Sequence, residues 1–387
     1  MDSVQLHRVN KAFQERFGLL PTVTSFAPGR INLIGGHTDY NDGFVLPGAI
    51  DKGVFAAFGL AQKQSIAVAI DTDHQPLTFE LSQQLTSVSE HWHRFVIGVV
   101  QVLRSHGHQL KPFNLVFGGD LTQGGGVSSS AALENSLVVG LNELFHLGLS
   151  KMEMIFISQQ IEHDFVGVKC GIMDQYASMF GESGKVIHLD CRSLDSRLIA
   201  LPLDGYQLML FNTNVKHQLS DAAYNDRGSV CQIVAHLAGV KSLRDLSMSA
   251  LEGMKQQIGE DKYEKAKYVV EEIQRTGDAV EAINQGDLKT FGKLMFKAHE
   301  GLKNNYRVSC AELDFFIDMA RSDDDVIGAR MMGGGFGGCT INIVKAEAIH
   351  RVEKEFSGRY LEQSGRRCDI QKVILSHGAK LVKMTTE

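Results

Sequence analysis

Residues 28–47, PGRINLIGGHTDYNDGFVLP, constrain the fold more than any other stretch of the chain. Gly29, Gly35, Gly36 and Gly43 let the backbone turn sharply and approach a ligand closely, and the segment directly follows an apolar run. Arg30 brings a fixed positive charge, and His37, Thr38, Asp39, Tyr40 and Asn41 offer the mixed donors and acceptors that a polyhydroxylated ligand satisfies. Such groups are costly to bury unpaired, so the segment reads as a binding site. The competing reading is a polar surface hairpin with Asp42 and Gly43 as its turn.

A chain of 387 residues is too long for one small core and predicts two domains; 43% hydrophobic and 22% charged residues are ordinary for a soluble globular protein. The formal net charge of -6, with no local block of lysine and arginine to offset it, argues against a nucleic-acid binder. Any anionic ligand must therefore be held by a local site. Val4, Val9, Phe13 and Phe17 are spaced like one face of a helix, without the apolar core of a signal peptide, and residues 95–103 are too short to span a bilayer. A cytoplasmic protein with no membrane partner is expected. Six scattered cysteines without C-x-x-C spacing predict reduced thiols. His91 and His93, with His106 and His108 nearby, lack the clustered thiols or carboxylates of a zinc site.

Residues 54–60 and 65–70 read as strands, 90–104 as a helix, 114–117 as a strand leading into a glycine-rich turn, and 128–145 and 151–163 as helices. Strands at 185–189 and 207–211 are separated by a polar, proline-bearing stretch, the best candidate for a boundary between domains 1–195 and 205–387. Residues 220–321 are mainly helical by pattern, 340–344 form a strand, and 372–376 with 380–383 offer a closing pair. The pattern is α+β.

Residues 121–136, LTQGGGVSSSAALENS, put three glycines and three serines where a loop becomes a helix. Free N–H groups and the helix dipole there favour an anion, glycines let a phosphate come close, and serine hydroxyls reach a metal bound to it. An ordinary serine N-cap needs only one such hydroxyl. No G-x-x-x-x-G-K-[ST] loop occurs in the chain. Asp174, in KCGIMDQYAS, stands among Ile172, Met173 and Tyr176, where a carboxylate needs a compensating charge; taken alone it is equally an acid-base residue or a helix cap. Glu162 alone is a helix-end residue and Tyr224 alone a core-edge aromatic. Residues 331–340, MMGGGFGGCT, contain G-x-G-x-x-G, but these glycines precede a strand instead of following one into a helix, the wrong context for a dinucleotide site.

These segments, in this order, resemble the galactokinases, members of the GHMP small-molecule kinases. The first resembles the family's GRVNLIGEHTDYN and GFVLP, with Gly36 in place of glutamate. The second resembles P-x-G-x-G-L-S-S-S-A, with Thr122, Gly125 and Val127 in place of proline, a small residue and leucine. Residues 331–340 resemble the third, glycine-rich motif. The resemblance implies the GHMP kinase fold: a ribosomal S5 domain 2-like N-terminal domain and a ferredoxin-like C-terminal domain, with ATP and sugar in the cleft between them. It implies that Gly124, Gly125, Gly126, Val127, Ser128, Ser129 and Ser130 line the ATP phosphates and that Ser130 and Glu162 coordinate Mg²⁺. By the same resemblance Asp174 faces the anomeric hydroxyl with Arg30 beside it, and Gly36, His37, Thr38, Asp39 and Tyr224 belong to the sugar site. Arg227 is retained from the family's YNxRR segment, and Gly228 replaces its second arginine.

The implied activity is ATP-dependent phosphorylation of α-D-galactose at C1 by a monomer. One alternative is a kinase for a related sugar, N-acetylgalactosamine or arabinose, since position 36 normally presents a carboxylate to substrate. Another is a non-catalytic sensor of sugar and ATP. The intact run from Ser128 to Ala132 and the presence of Asp174 favour the enzyme. Restoring glutamate at position 36 is expected to raise turnover with galactose.

Overall fold

The computed structural model describes residues 3–72, 75–82, 90–121, 124–216 and 220–382; Thr122 and position 383 lie outside them. The chain runs α1 (Ser3–Phe17), β1 (Val23–Asn32), β2 (Phe44–Val45), β3 (Pro47–Leu60), β4 (Ser65–Ala69), β5 (Leu77–Phe79), α2 (His91–Ser105), β6 (Phe113–Gly119), α3 (Ser129–Leu144), α4 (Lys151–Ile161), α5 (Met173–Phe180), β7 (Lys185–Asp190) and β8 (Ser196–Ala200). It continues through β9 (Tyr206–Lys216), α6 (Ser220–Leu237), α7 (Met248–Ile258), α8 (Glu260–Asn284), α9 (Leu288–Gly301), α10 (Ala311–Arg321), β10 (Val326–Met331), β11 (Gly337–Lys345), α11 (Ile349–Ser364), β12 (Asp369–Val373) and β13 (Lys380–Leu381).

One sheet has the order β13-β1-β3-β6-β4-β5 and is antiparallel except where β4 meets β6. The period-two alternation of a strand sorts its faces: Phe55 and Ala57 of β3 pack with Val9 and Phe13 of α1, whereas Ala56 and Phe58 enter the larger core with α2, α3 and α4. A second sheet, of order β12-β9-β11-β10, is wholly antiparallel. With helices between β9 and β10 and α11 between β11 and β12, it is the split βαβ arrangement of ferredoxin-like domains. Leu208 and Leu210 of β9 pack on one face with Phe291 and Met295 of α9, and Met209 and Phe211 on the other with Phe316 and Phe356. A third sheet joins β2, β7 and β8.

The core that holds Leu208 also holds Ile31, Leu33 and Ile34, so the stretch after β1 is anchored in apolar packing between the two large sheets. Residues 30–38 are buried throughout, which excludes the surface hairpin. β1 carries an irregularity between Pro28 and Arg30, where proline lacks the ladder donor. At Gly29 a Cβ would stand 2.7 Å from the Val127 carbonyl, so only glycine lets β1 touch the glycine-rich loop; Arg30 N donates to that carbonyl at 3.0 Å.

Two elements differ from the pattern reading. Residues 372–376 and 380–383 do not pair with each other: β12 joins β9, and the chain then crosses to the first sheet. Ile374 N donates to Asp51 Oδ1 at 2.9 Å, Ser376 N donates to Ala49 O at 2.9 Å, and β13 adds to the edge of β1. An open strand edge attracts a partner through backbone groups, which side-chain pattern does not encode. Residues 196–200 were expected within a polar connection and instead form β8 beside β7; only Ile199 is buried, so the strand lacks its alternation.

Candidate active site

Where β1 leaves its sheet, Arg30 turns into a cleft of about 340 Å³ that draws its walls from both sheets' loops. Its guanidinium makes a fork on Asp174, at the first turn of α5: Nε donates to Oδ1 at 2.6 Å and Nη2 to Oδ2 at 2.8 Å. Nη1 donates to the Gly126 carbonyl at 2.6 Å. Ser128 Oγ also donates to Asp174 Oδ2, and the Ser128 backbone is left-handed with φ 55°, a position that turns the loop into α3. Arg30 is buried while the Asp174 side chain keeps 26% exposure, so the carboxylate is fixed from behind and open to the cleft.

The phosphate-loop residues divide by environment. Gly124, Gly126, Ser129 and Ser130 line the cleft. Gly126 (φ +69°) packs against the second glycine-rich turn, where a Cβ would stand 2.9 Å from the Met332 carbonyl. Gly125 follows between them without lining the cleft, Val127 is buried in the core beside Ile31, and the Ser128 hydroxyl is held by Asp174. Glu162 lies where α4 widens into a π-turn over Glu162–Val166, a distortion common at functional sites. It is buried, it lines the cleft, and its charge together with burial pushes the neighbouring Glu134 carboxyl well up; burial is the larger cause. Gln175 Nε2 donates to Glu134 at 3.3 Å.

Across the cleft, His37 adopts a left-handed backbone (φ 63°) and points its ring at Tyr40 and Tyr306. His37 Nδ1 and Tyr40 Oη are 2.8 Å apart, as are Tyr40 Oη and Tyr306 Oη. Burial, with the charges of Arg330 and Arg227, lowers the His37 pKa to about 3, so the imidazole is neutral; its Nε2 is buried without a hydrogen-bond partner. That nitrogen belongs to a cleft-lining residue and fits a ligand hydroxyl. Tyr224 lines the same wall, 5.5 Å from His37 between ring centroids. Thr38 does not: its buried hydroxyl, with one hydrogen to donate, sits 2.7 Å from the Phe44 carbonyl and 2.9 Å from the Gly35 carbonyl and shapes the loop.

Burial, and then the nearby Asp174 charge, raises the Asp39 pKa to about 7. A carboxyl that binds its proton more tightly when folded costs stability as pH rises from its unfolded value of 3.8 towards 7, with no further loss above. Asp39→Asn removes this cost. In thermal melts the variant is expected to gain on the parent as pH rises from about 5 to about 8; parallel curves would show that Asp39 does not titrate in this range.

Sequence reasoning missed Arg330, Glu272, Glu134 and Tyr306. Arg330, 1% exposed on β10, lines the cleft next to Gly36. Its signal was an arginine inside the apolar run GARMM, immediately before the glycine-rich turn. All six cysteines are free. Among the described residues no group of three histidines, cysteines or carboxylates could hold a metal by itself, and no helix is long and apolar enough to cross a membrane.

The galactokinase galactose-binding signature matches residues 11–60, the GHMP kinases N terminal domain residues 94–182 and the GHMP kinases C terminal residues 279–361. A galactokinase of Thermotoga petrophila is 36% identical over 356 residues, which cover 92% of this chain and 99% of that one. A galactokinase of Clostridium acetobutylicum is 36% identical over 368 residues, covering 92% and 94%. The crystal structure of Lactococcus lactis galactokinase complexed with galactose superposes with a TM-score of 0.92 at 32% identity, covering 97% of this chain and 99% of that one. Methanococcus jannaschii mevalonate kinase, 16% identical with a TM-score of 0.66, shares the fold. With the Arg30–Asp174 pair set between a phosphate-type loop and the His37 wall, the chain belongs to the galactokinase family of GHMP kinases, phosphotransferases that act on a hydroxyl acceptor.

Proposed function

We propose that this chain transfers the γ-phosphoryl group of ATP to the C1 hydroxyl of α-D-galactose, giving α-D-galactose 1-phosphate and ADP. The observation that carries the reading is the Asp174 carboxylate, held by Arg30 and Ser128 and open to the cleft between the loop at 124–130 and the wall of His37, Asp39 and Tyr224. Phosphoryl transfer needs positioning and charge neutralisation more than covalent help. Asp174 accepts a hydrogen bond from the C1 hydroxyl and takes its proton as the oxygen–phosphorus bond forms. Arg30 fixes the carboxylate's orientation, and its charge lies beside the group being transferred. The amides at 124–126 and the start of α3 face the phosphates. Neutral His37 offers Nε2 to a sugar hydroxyl, and Asp39 and Tyr224 supply further polar contacts.

Ser130 and Glu162 would hold Mg²⁺, a hard cation that takes a few protein oxygens and completes its shell with phosphate and water. The fit is supported by the buried Glu134 and Glu162 carboxyls, whose mutual repulsion a cation would relieve. When bound, Mg²⁺ neutralises charge on the phosphates.

A coupled ADP-release assay over a panel of sugars, with ³¹P NMR of the product, tests the reading. Galactose is expected to give Mg²⁺-dependent ADP release and a C1 phosphate, and Glu162→Gln to raise the Mg²⁺ requirement by about tenfold or more, as expected for loss of a charged ligand. Absence of ADP with every sugar, while calorimetry still detects galactose binding, would favour the sensor.

A further inference from the structure

The corner of the cleft at Gly36 holds a cation whose needs are not met. A Cβ at position 36 would stand 2.4 Å from Arg330 Nη2, so the guanidinium occupies the place where a side chain would begin. Arg330 Nε donates to the adjacent Met331 carbonyl at 3.0 Å. Nη1 is buried and makes no hydrogen bond; the carboxylate paired with it, Glu272 Oε1, stands 3.8 Å away, beyond hydrogen-bond reach. Nor is Glu272 available to come closer. Oε1 accepts from Gly35 N at 2.9 Å and Gly36 N at 3.3 Å, and Oε2 accepts from Arg275 Nη1. One fully buried carboxylate thus bonds one guanidinium and two amides, and Arg330 stands at 3.8 Å with only its charge opposed. A buried charge with an unmade hydrogen bond is expensive, and the expense is recovered when a ligand completes it.

Gly36, Arg330 and His37 all line the cleft. We propose that this corner is an anion subsite within the sugar site, and that the chain also phosphorylates a hexuronic acid of galactose configuration, whose carboxylate is taken by Arg330 beside Gly36. The inference rests on the sugar site proposed above and adds an acidic sugar to the neutral one as a substrate of the same reaction. The lowered pKa of His37, to which Arg330 contributes, reports the same positive field. A neutral ring there adds no second cation, and leaves Arg330 to choose the anion. Guanidinium suits the task because its planar fork binds a carboxylate through two parallel hydrogen bonds. The reaction is unchanged at the phosphate: the C1 oxygen bonds to γ-phosphorus, the bond to ADP breaks, and the hydroxyl proton goes to Asp174.

The test runs D-galacturonate, D-glucuronate and D-galactose side by side on the full chain, with ADP release for turnover and calorimetry for binding. Galacturonate is expected to bind at least about tenfold more tightly than galactose, the scale of one charge-assisted contact. Gly36→Glu, which supplies a carboxylate to Arg330 from the chain itself, is expected to reverse that order by weakening galacturonate about 100-fold and improving galactose. Arg330→Gln is expected to lose the preference for the acid; circular dichroism and a melt establish that each variant folds. If galactose is phosphorylated and galacturonate neither binds nor reacts, the anion subsite is wrong and the galactokinase reading stands. If no sugar yields ADP, that reading fails, while the calorimetric order of galacturonate and galactose still decides the subsite. Equal binding of glucuronate would overturn the galactose configuration assigned to the acid.

Discussion

An Asp174→Asn enzyme is expected to bind sugar as the parent does and to turn over about 10²–10⁴-fold more slowly, the usual range for removing a positioned general base. The amide keeps the size of the carboxylate, and its one oxygen can accept from Arg30 Nη2 and Ser128 while its NH2 group faces Arg30 Nε, so half of the fork is kept and Arg30 Nη1 still holds the Gly126 carbonyl. What it loses is the capacity to take the hydroxyl proton. Steady-state kinetics with calorimetric binding separate these effects: the loss belongs in kcat, with Kd for sugar nearly unchanged. A kcat within about tenfold of the parent would mean that Asp174 orients the hydroxyl without accepting its proton.

Arg30→Ala is expected to cost stability, by less than the ~3–5 kcal/mol of a fully buried pair, because the Asp174 carboxylate it leaves without a countercharge keeps 26% exposure. It also frees the Gly126 carbonyl and so loosens the phosphate loop. Urea denaturation measures the loss, and activity is expected to fall by at least as much as in Asp174→Asn. Arg30→Lys keeps the charge and gives up the fork, so it is expected to fall between parent and alanine variant. The Arg30→Ala and Asp174→Asn effects should be strongly non-additive, since the two side chains act as one unit. Additive effects in a double-mutant cycle would separate them.

Much of the scaffold was legible because its signals are local. The alternation of Leu208, Met209, Leu210 and Phe211 fixes which side of β9 meets which core, and the serines and glycines at 124–130 mark a loop opening into a helix. The catalytic pair was not legible from spacing: Arg30 and Asp174 are 144 residues apart, and the family resemblance brought them together. The side-chain environment was less accessible still. Nothing in the string HTD shows that His37 is buried among cations or that Thr38 bonds only to backbone. Arg330 escaped because it is 294 positions from Gly36 in sequence, and only folding reveals that the missing side chain and the guanidinium occupy one place.

The return of residues 374–381 to β1 has a consequence in time. Ile374 and Asp51 are bonded across 323 residues, and β13 closes the strand that carries Arg30. During synthesis the edge of β1 stays open until residues 380–381 have left the ribosome, a non-local closure that slows folding and exposes a ready template for wrong partners. The segment that finally covers it also ties the ferredoxin-like sheet to the strand beneath the cleft. Closure of β1 at Ser25 and Phe26 therefore comes after every other described strand has been made.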